Sequence, residues 1–288
     1  MLASLSWGLS TALSKVAVEQ LTSIDLFGVE VTTGALCLGA AALARGARPA
    51  RPSAAVLLLG VLEPGVAYLL FDIGIAHTAA THGALLLSTD SVFTIALAAV
   101  LLGERIDRRL GLALAAGVAG SVLVSLRGGG GSTSSAVGDL LVVAASLGAA
   151  GYGVLAKRVA PGRDALSLTA VQMLVAATIG LPLVAVAAAG HHSHLGQAGA
   201  GHLLAALAVG VFASVVPFLL FYSAIDRVTA SVAGLVLTLV PLFGTVASVV
   251  LLSERLGAVQ FAGGAFVVLA AGLAATTVDR EPRPGCAA

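Results

Sequence analysis

Long apolar runs follow one another along nearly the whole chain, and they decide what it can fold into. A helix needs about 20 predominantly apolar residues to cross a hydrocarbon core about 30 Å thick. Ten segments approach or exceed that length, near residues 3–20, 24–44, 54–76, 80–102, 110–126, 138–157, 165–188, 203–223, 228–252 and 257–277. Of the 288 residues 58% are hydrophobic and 10% are charged, against roughly 25% charged in soluble domains. A soluble fold would have to bury almost every helix on all sides, which one core of this size cannot arrange. The runs are continuous and do not alternate, so a membrane β-barrel is excluded as well. The sequence predicts an all-α membrane protein with ten transmembrane helices, whose small residues, as in "GLALAAGVAG" at 111–120, let helix backbones approach closely.

Loop charge orients the bundle, because loops rich in Arg and Lys stay cytoplasmic. With the N-terminus inside, Arg45, Arg48, Arg51, Arg105, Arg108, Arg109, Lys157, Arg158, Arg163, Arg227, Arg280 and Arg283 fall inside, and Arg127 and Arg255 fall outside. Lys15 remains within the first helix. The expected topology is N-in and C-in. Net charge is +1, with no basic surface for nucleic acid. Cys37 in an apolar run and Cys286 in the tail make no disulfide framework. No basic region and cleavage site precede the first run, so it reads as a retained helix rather than a signal peptide. Arginine far outnumbers lysine amid abundant Ala and Gly, which by association points to a GC-rich bacterial genome and an inner (plasma) membrane.

"LLGERI" at 101–106 returns as "LLSERL" at 251–256. Residues 60–105 laid on 210–255 without a gap share 16 of 46 positions, among them Phe71 with Phe221, Phe93 with Phe243, and Glu104–Arg105 with Glu254–Arg255. A weaker echo relates Lys15 to Lys157 and "VE" at 29–30 to "VQ" at 171–172. Five helices per half is an odd number, so the second half enters the membrane from the opposite side. The expected organisation is a first five-helix repeat over 1–126, an external Gly/Ser linker over 127–137, a second repeat over 138–277 and a cytoplasmic tail over 278–288. The pairs Glu104–Arg105 and Glu254–Arg255 then terminate helices at opposite faces. Inverted repeats are the common construction of secondary transporters, since two halves related by an in-plane axis can exchange inward-open and outward-open shapes.

Several stretches resemble one family, the EamA-type drug/metabolite transporters. They are "SWG" at 6–8, "GDLL" at 138–141 with Ser146, and the paired blocks "VFTIALAAVLLGER" and "PLFGTVASVVLLSER". The resemblance covers nearly the full length and implies ten helices in a 5+5 repeat. It also implies export of small organic metabolites or drugs. The chain departs from the pattern at Ser91, where proline is usual and Pro241 is its counterpart, and at Glu30, where a basic residue is frequent. Its N-terminus is several residues shorter than the pattern.

Charges inside a membrane mark a pathway or a pair. Helical depth, at about 1.5 Å per residue, puts Lys15 and Glu30 at similar height, so a structural ion pair is expected between them. Asp90 near the middle of the fourth helix and Glu63 near that of the third have no obvious basic partner. Two such acids in a low-dielectric cavity would not both be ionised, which suits proton coupling or reception of an amine. The alternative is that they hydrogen-bond to neighbours such as Ser88 and Thr89 and only fix packing. Asp72 is expected to contact His77 or His82 locally. Trp7, Tyr68, Tyr152, Phe221 and Tyr222 are aromatics suited to a solute pocket or equally to packing, and Gln172 adds a neutral donor and acceptor. The substrate-binding candidates are therefore Trp7, Glu63, Tyr68, Asp90, Tyr152, Gln172 and Tyr222. The "HHSH" at 191–194 lacks a second ligand cluster, so no metal is expected, nor any cofactor or catalytic motif.

Four embedded acids oppose one base, which disfavours anions. The reading is a secondary active transporter for neutral, zwitterionic or cationic solutes, exporting by alternating access with proton coupling, as a monomer or homodimer in the lipid bilayer. Two rival readings are a small-solute channel and a non-transporting membrane subunit of a lipid-linked sugar pathway.

Overall fold

A computed structural model describes residues 2–46, 53–102, 108–125, 135–160, 162–225 and 239–278. Among them there is no strand. The helices are α1 (Leu2–Ala17), α2 (Ser23–Ala44), α3 (Ala54–Gly60), α4 (Ala67–Ala76), α5 (Ala80–Leu86), α6 (Thr89–Leu102) and α7 (Arg108–Ser125), then α8 (Ala136–Val159), α9 (Ala165–Ala189), α10 (Ala200–Val209), α11 (Val216–Ile225), α12 (Val240–Leu252) and α13 (Ala258–Val278). A π-helical turn, Val61–Val66, joins α3 to α4, and a second, Gly210–Val215, joins α10 to α11. Among the described residues, five helical stretches are long and apolar enough to cross a membrane: Ser23–Ala44, Ala54–Ala76, Ala136–Val159, Ala165–Ala189 and Ala200–Tyr222. Val240–Leu252 and Phe261–Ala270 are shorter apolar helices.

Local sequence sets several helix starts. Thr22 and Asp25 form a capping box, the Thr22 hydroxyl accepting from Asp25 N at 3.1 Å and the Asp25 carboxylate from Thr22 N at 3.2 Å. Asp164 caps α9 through Ser167 N at 2.8 Å, and Ser135 caps α8 through Gly138 N at 3.0 Å. Helix α8 thus begins inside the stretch expected as linker; the rest of that stretch to residue 134 lies outside the described residues, as do Glu104, Arg105 and the tail from residue 279.

Polarity is arranged opposite to that of a soluble protein. Leu36, Leu43, Val100, Val250 and Phe261 are largely exposed, while the buried face of α1 carries Ser4, Ser6, Gly8, Ser10, Thr11 and Ser14. An apolar exterior suits a lipid solvent, and small interior residues suit helix contact within it. Helix α2 lies against α9, α7 against α13, α1 against α12, and α8 against both α6 and α4. Where α4 meets α8 the backbones nearly touch: a Cβ on Gly74 would lie 2.9 Å from Gly138 O, and one on Gly138 would lie 2.9 Å from Gly74 O.

Three helical spans are interrupted. In the first π turn Glu63 leaves helical geometry at φ −148°, ψ 123°, beside Pro64, which cannot donate a hydrogen bond. The run expected as one helix over 80–102 is broken at Leu87–Ser88, where the Ser88 hydroxyl donates to Leu85 O and the Thr89 hydroxyl to Leu86 O at 2.7 Å. Such side-chain bonds offer the backbone an alternative to the helical ladder. As a consequence Asp90 sits in the first turn of α6, not at the middle of a continuous helix.

Candidate functional site

The second π turn widens the helix and leaves carbonyls turned away from the ladder, which in a membrane must find donors within the protein. Remote side chains supply them. Ser6 Oγ donates to Phe212 O at 2.6 Å, Trp7 Nε1 to Ala213 O at 3.0 Å, and Tyr68 Oη to the same Ala213 O at 2.8 Å. Trp7 Nε1 also lies 3.4 Å from Tyr68 Oη. These contacts tie α1 and α4 to the break between α10 and α11.

Around that tie the aromatics form one cluster. Phe218 meets Trp7 and Tyr152 edge-on, with ring centres 5.6 Å and 6.0 Å apart, and Tyr68 at a tilt at 6.4 Å. Phe221 bridges Trp7 at 6.2 Å and Tyr222 at 5.6 Å. Such edge-to-face arrangements are favoured by ring quadrupoles. Tyr152 Oη donates to Gln172 Oε1 at 3.2 Å, Gln172 Nε2 to Tyr222 Oη at 3.4 Å, and the two tyrosine hydroxyls bond to each other. Glu63 lies within electrostatic reach of Tyr68, Tyr152, Tyr222 and Asp90. Both acids are only partly buried, and Thr94 Oγ1 donates to Asp90 Oδ1 at 3.1 Å.

Of the seven substrate-binding candidates, Trp7 and Tyr68 are joined by a hydrogen bond and Tyr152, Gln172 and Tyr222 by theirs, while Glu63 acts on the tyrosines and Asp90 electrostatically. Asp90 takes a bond from Thr94, a hydroxyl neighbour of the kind the packing alternative invoked, whereas Ser88 and Thr89 bond to the backbone. Phe218 and Thr94 belong to the same region and were not among the sequence candidates, and Ser6, noted there only within "SWG", joins them. Phe218 had a signal: it is the repeat mate of Tyr68 at a spacing of 150 residues. Chemically the place offers partly buried carboxyls, aromatic walls and a few neutral hydrogen-bonding groups, a composition suited to a small organic solute with an amine or hydroxyl.

Two expected pairings differ. Lys15 Nζ donates to Ile75 O at 2.9 Å and Thr78 O at 2.6 Å, at the end of α4, and makes no ion pair with Glu30. Equal depth did not place the two on facing sides. Glu30 instead accepts from Ser214 Oγ at 3.4 Å, with Asp72 within electrostatic reach of its carboxyl. His82 faces Asp139 at 3.9 Å rather than Asp72, and Asp139 also accepts from the Thr78 hydroxyl. Among the described residues no group of three or more metal-binding side chains occurs, and His191, His192 and His194 lie in an exposed loop.

Glu254 has a defined role. Its carboxylate accepts from Ala80 N at 2.9 Å and Thr81 N at 2.7 Å, the first free amides of α5. It caps a helix of the other half from a distance, where the helix dipole also favours a negative charge. Arg255 beside it is exposed.

The sequence pattern of the EamA-like transporter family matches residues 1–126 and again 136–276. An uncharacterized transporter of Bacillus subtilis, YetK, is 26% identical over 211 residues, covering 72% of this chain and 63% of that protein. An uncharacterized transporter of Methanothermobacter thermautotrophicus is 27% identical over 212 residues, covering 73% and 60%. The matched region thus spans under two thirds of either relative's length. A solved structure, described simply as the crystal structure of a protein, superposes with a TM-score of 0.69 at 20% identity, covering 97% of this chain and 96% of that one. That likeness establishes a shared fold.

Proposed function

The chain belongs to the EamA-like transporter family, and from that premise we propose that it is a secondary active carrier exporting small organic metabolites or drugs by alternating access. The observation that carries the reading is the meeting of an interrupted helix in each half, at Val61–Val66 and Gly210–Val215, with the aromatic cluster and Glu63. Broken helices at membrane depth are tolerated where they line a cavity or are buried in protein, and carriers place their binding sites there.

The domain reading is two inverted five-helix repeats, 1–126 and 138–277, N-in and C-in in a bacterial inner membrane. In its favour, the two π turns begin at positions 61 and 210, within a residue of the 150-residue spacing of the duplicated sequence. Reciprocal packing also favours it: α1 lies on α12 as α8 lies on α6, while α2–α9 and α7–α13 pair elements with their own mates. Excess acid among the interior charges favours neutral, zwitterionic or cationic solutes. Asp90 and Glu63 are the acids proposed to receive the solute's amine, with Trp7, Tyr68, Tyr152, Gln172 and Tyr222 forming the walls.

Wild type and Asp90→Asn, expressed to equal levels in one host, provide the test, with small molecules measured in cells and medium by untargeted mass spectrometry. The expected result is one compound, or one chemical class, enriched outside by the wild type and at least about tenfold less so by the variant, the size of effect that loss of about 1.4 kcal/mol of binding would give. No shift of any compound by the wild type on either side of the membrane counts against the carrier reading. Enrichment of a phosphorylated anion that collapses in the variant would overturn the solute class.

A further inference from the structure

We propose that Glu30 and Asp72, with Ser214, form a second site that binds one proton between two carboxyl groups, and that this proton, not one on Glu63 or Asp90, is the coupling ion. The coupling role rests on the carrier reading above; the occupancy of the site by a proton does not.

Both side chains are buried, Glu30 at 3% and Asp72 at 1% exposure. Neither oxygen of Asp72 receives a hydrogen bond from any N–H or hydroxyl among the described residues. Its acidic neighbour is Glu30, near enough for the two carboxyls to act on each other electrostatically. Among the described residues Glu30 itself receives only the long 3.4 Å bond from Ser214 Oγ. Two carboxylates cannot occupy such a place as bare anions, because a buried charge without donors or a counter-charge is strongly disfavoured. A single proton converts the contact into a carboxyl–carboxylate hydrogen bond, among the strongest that side chains make.

The surrounding charges leave that proton as the available remedy. Lys15 on α1 is turned to the carbonyls of Ile75 and Thr78. On α8, Asp139 is engaged by Thr78 and His82 of the neighbouring turn and α5, and Tyr152 bonds within the aromatic cluster. Helix α9 carries no titratable residue, His202 on α10 faces Glu19, and Tyr68 on α4 donates to Ala213 O.

The second half supplies the comparison. At the spacings of the duplicated sequence, 142 residues for α2 and 150 for α4, the mates of Glu30 and Asp72 are Gln172 and Tyr222. Those two are also in contact, Gln172 Nε2 donating to Tyr222 Oη at 3.4 Å. The same place in the fold is thus filled once by a neutral pair that satisfies itself and once by two acids that do not. Packing alone does not require the acids; a removable proton does. Ser214 lies in the second π turn, so a change in the pair's protonation acts directly on the helix break that holds Trp7 and Tyr68.

The test uses the full-length protein in lipid vesicles and reads the proton by infrared difference spectroscopy. In a Glu63→Gln, Asp90→Asn background, which removes the other two interior acids, the protein should show a protonated-carboxyl stretch that shifts in deuterated water, and adding Glu30→Gln or Asp72→Asn should abolish it, since an amide donor replaces the shared proton. Unchanged thermal midpoints verify that the near-isosteric variants fold. Absence of that band in the Glu63→Gln, Asp90→Asn background, or its persistence after either further substitution, overturns the proton site. In cells, the compound enriched outside by the wild type should lose its sensitivity to a protonophore in Glu30→Gln and in Asp72→Asn, each made alone. Retained sensitivity overturns the coupling role while leaving the carrier reading intact. No enrichment by the wild type sinks the carrier reading and the coupling role with it, and leaves the infrared result to decide the proton site alone.

Discussion

Lys15 closes α1 with its ammonium between two carbonyls, Ile75 O and Thr78 O, at the point where α4 runs out of amide partners. A cation there answers the free carbonyls and the negative end of the helix dipole together. Lys15→Met removes both bonds, and the expected cost is about 1–3 kcal/mol, typical of a polar group left without its donor. Glu30 is not part of that arrangement. A double-mutant cycle of Lys15→Met with Glu30→Gln, read by thermal unfolding in detergent, should therefore be additive to within about 0.5 kcal/mol. A larger coupling would restore the ion pair that sequence depth suggests. Depth along a helix was legible because it needs only residue counting, but the side a residue faces depends on which helices neighbour it. For the same reason Asp90 was found as an unpaired acid while its partner, Thr94, was not.

At the scale of elements, run length and capping residues made most helices readable, as with Thr22–Asp25 before α2 and Asp164 before α9. The interruptions were less so. Pro64 is a local mark of the first π turn, but the second carries no proline and exists with carbonyls held by Ser6, Trp7 and Tyr68, all of them far away in sequence. The break before α6 likewise depends on two hydroxyls that an apolar-run argument treats as filler. Contact between elements depends on a few close approaches. Gly74→Ala at the α4–α8 crossing would force a methyl to within 2.9 Å of Gly138 O, and overpacking of that kind costs about 1–3 kcal/mol. Gly39→Ala on α2, where the added carbon meets nothing within 4 Å, should be neutral or stabilising by up to about 1 kcal/mol. Melting both variants beside the wild type separates the two outcomes, and an equal effect would mean that the α4–α8 approach is looser than described.

Across the whole molecule, the cap that Glu254 places on α5 joins the start of α5 to the end of α12, beside Lys15 and His82. A carrier that alternates must make and break contacts of this kind at one face while opening the other, and charge-bearing helix ends are suited to it because water can replace the carboxylate at the freed amides. That face is the outer one if the loop charges orient the chain as proposed. Orientation can be read from α9, which separates Arg163 from Gly196, both exposed at opposite ends of a 25-residue apolar helix. With Cys37 and Cys286 replaced, Gly196→Cys should react with a membrane-impermeant maleimide in intact cells, and Arg163→Cys only after permeabilisation. The reverse pattern would invert the topology and place the Glu254 cap at the cytoplasmic face. Equal labelling of both sites would mean that α9 does not cross, leaving an even number of spans in the second half, and two halves of unequal parity cannot be related by an axis in the membrane plane.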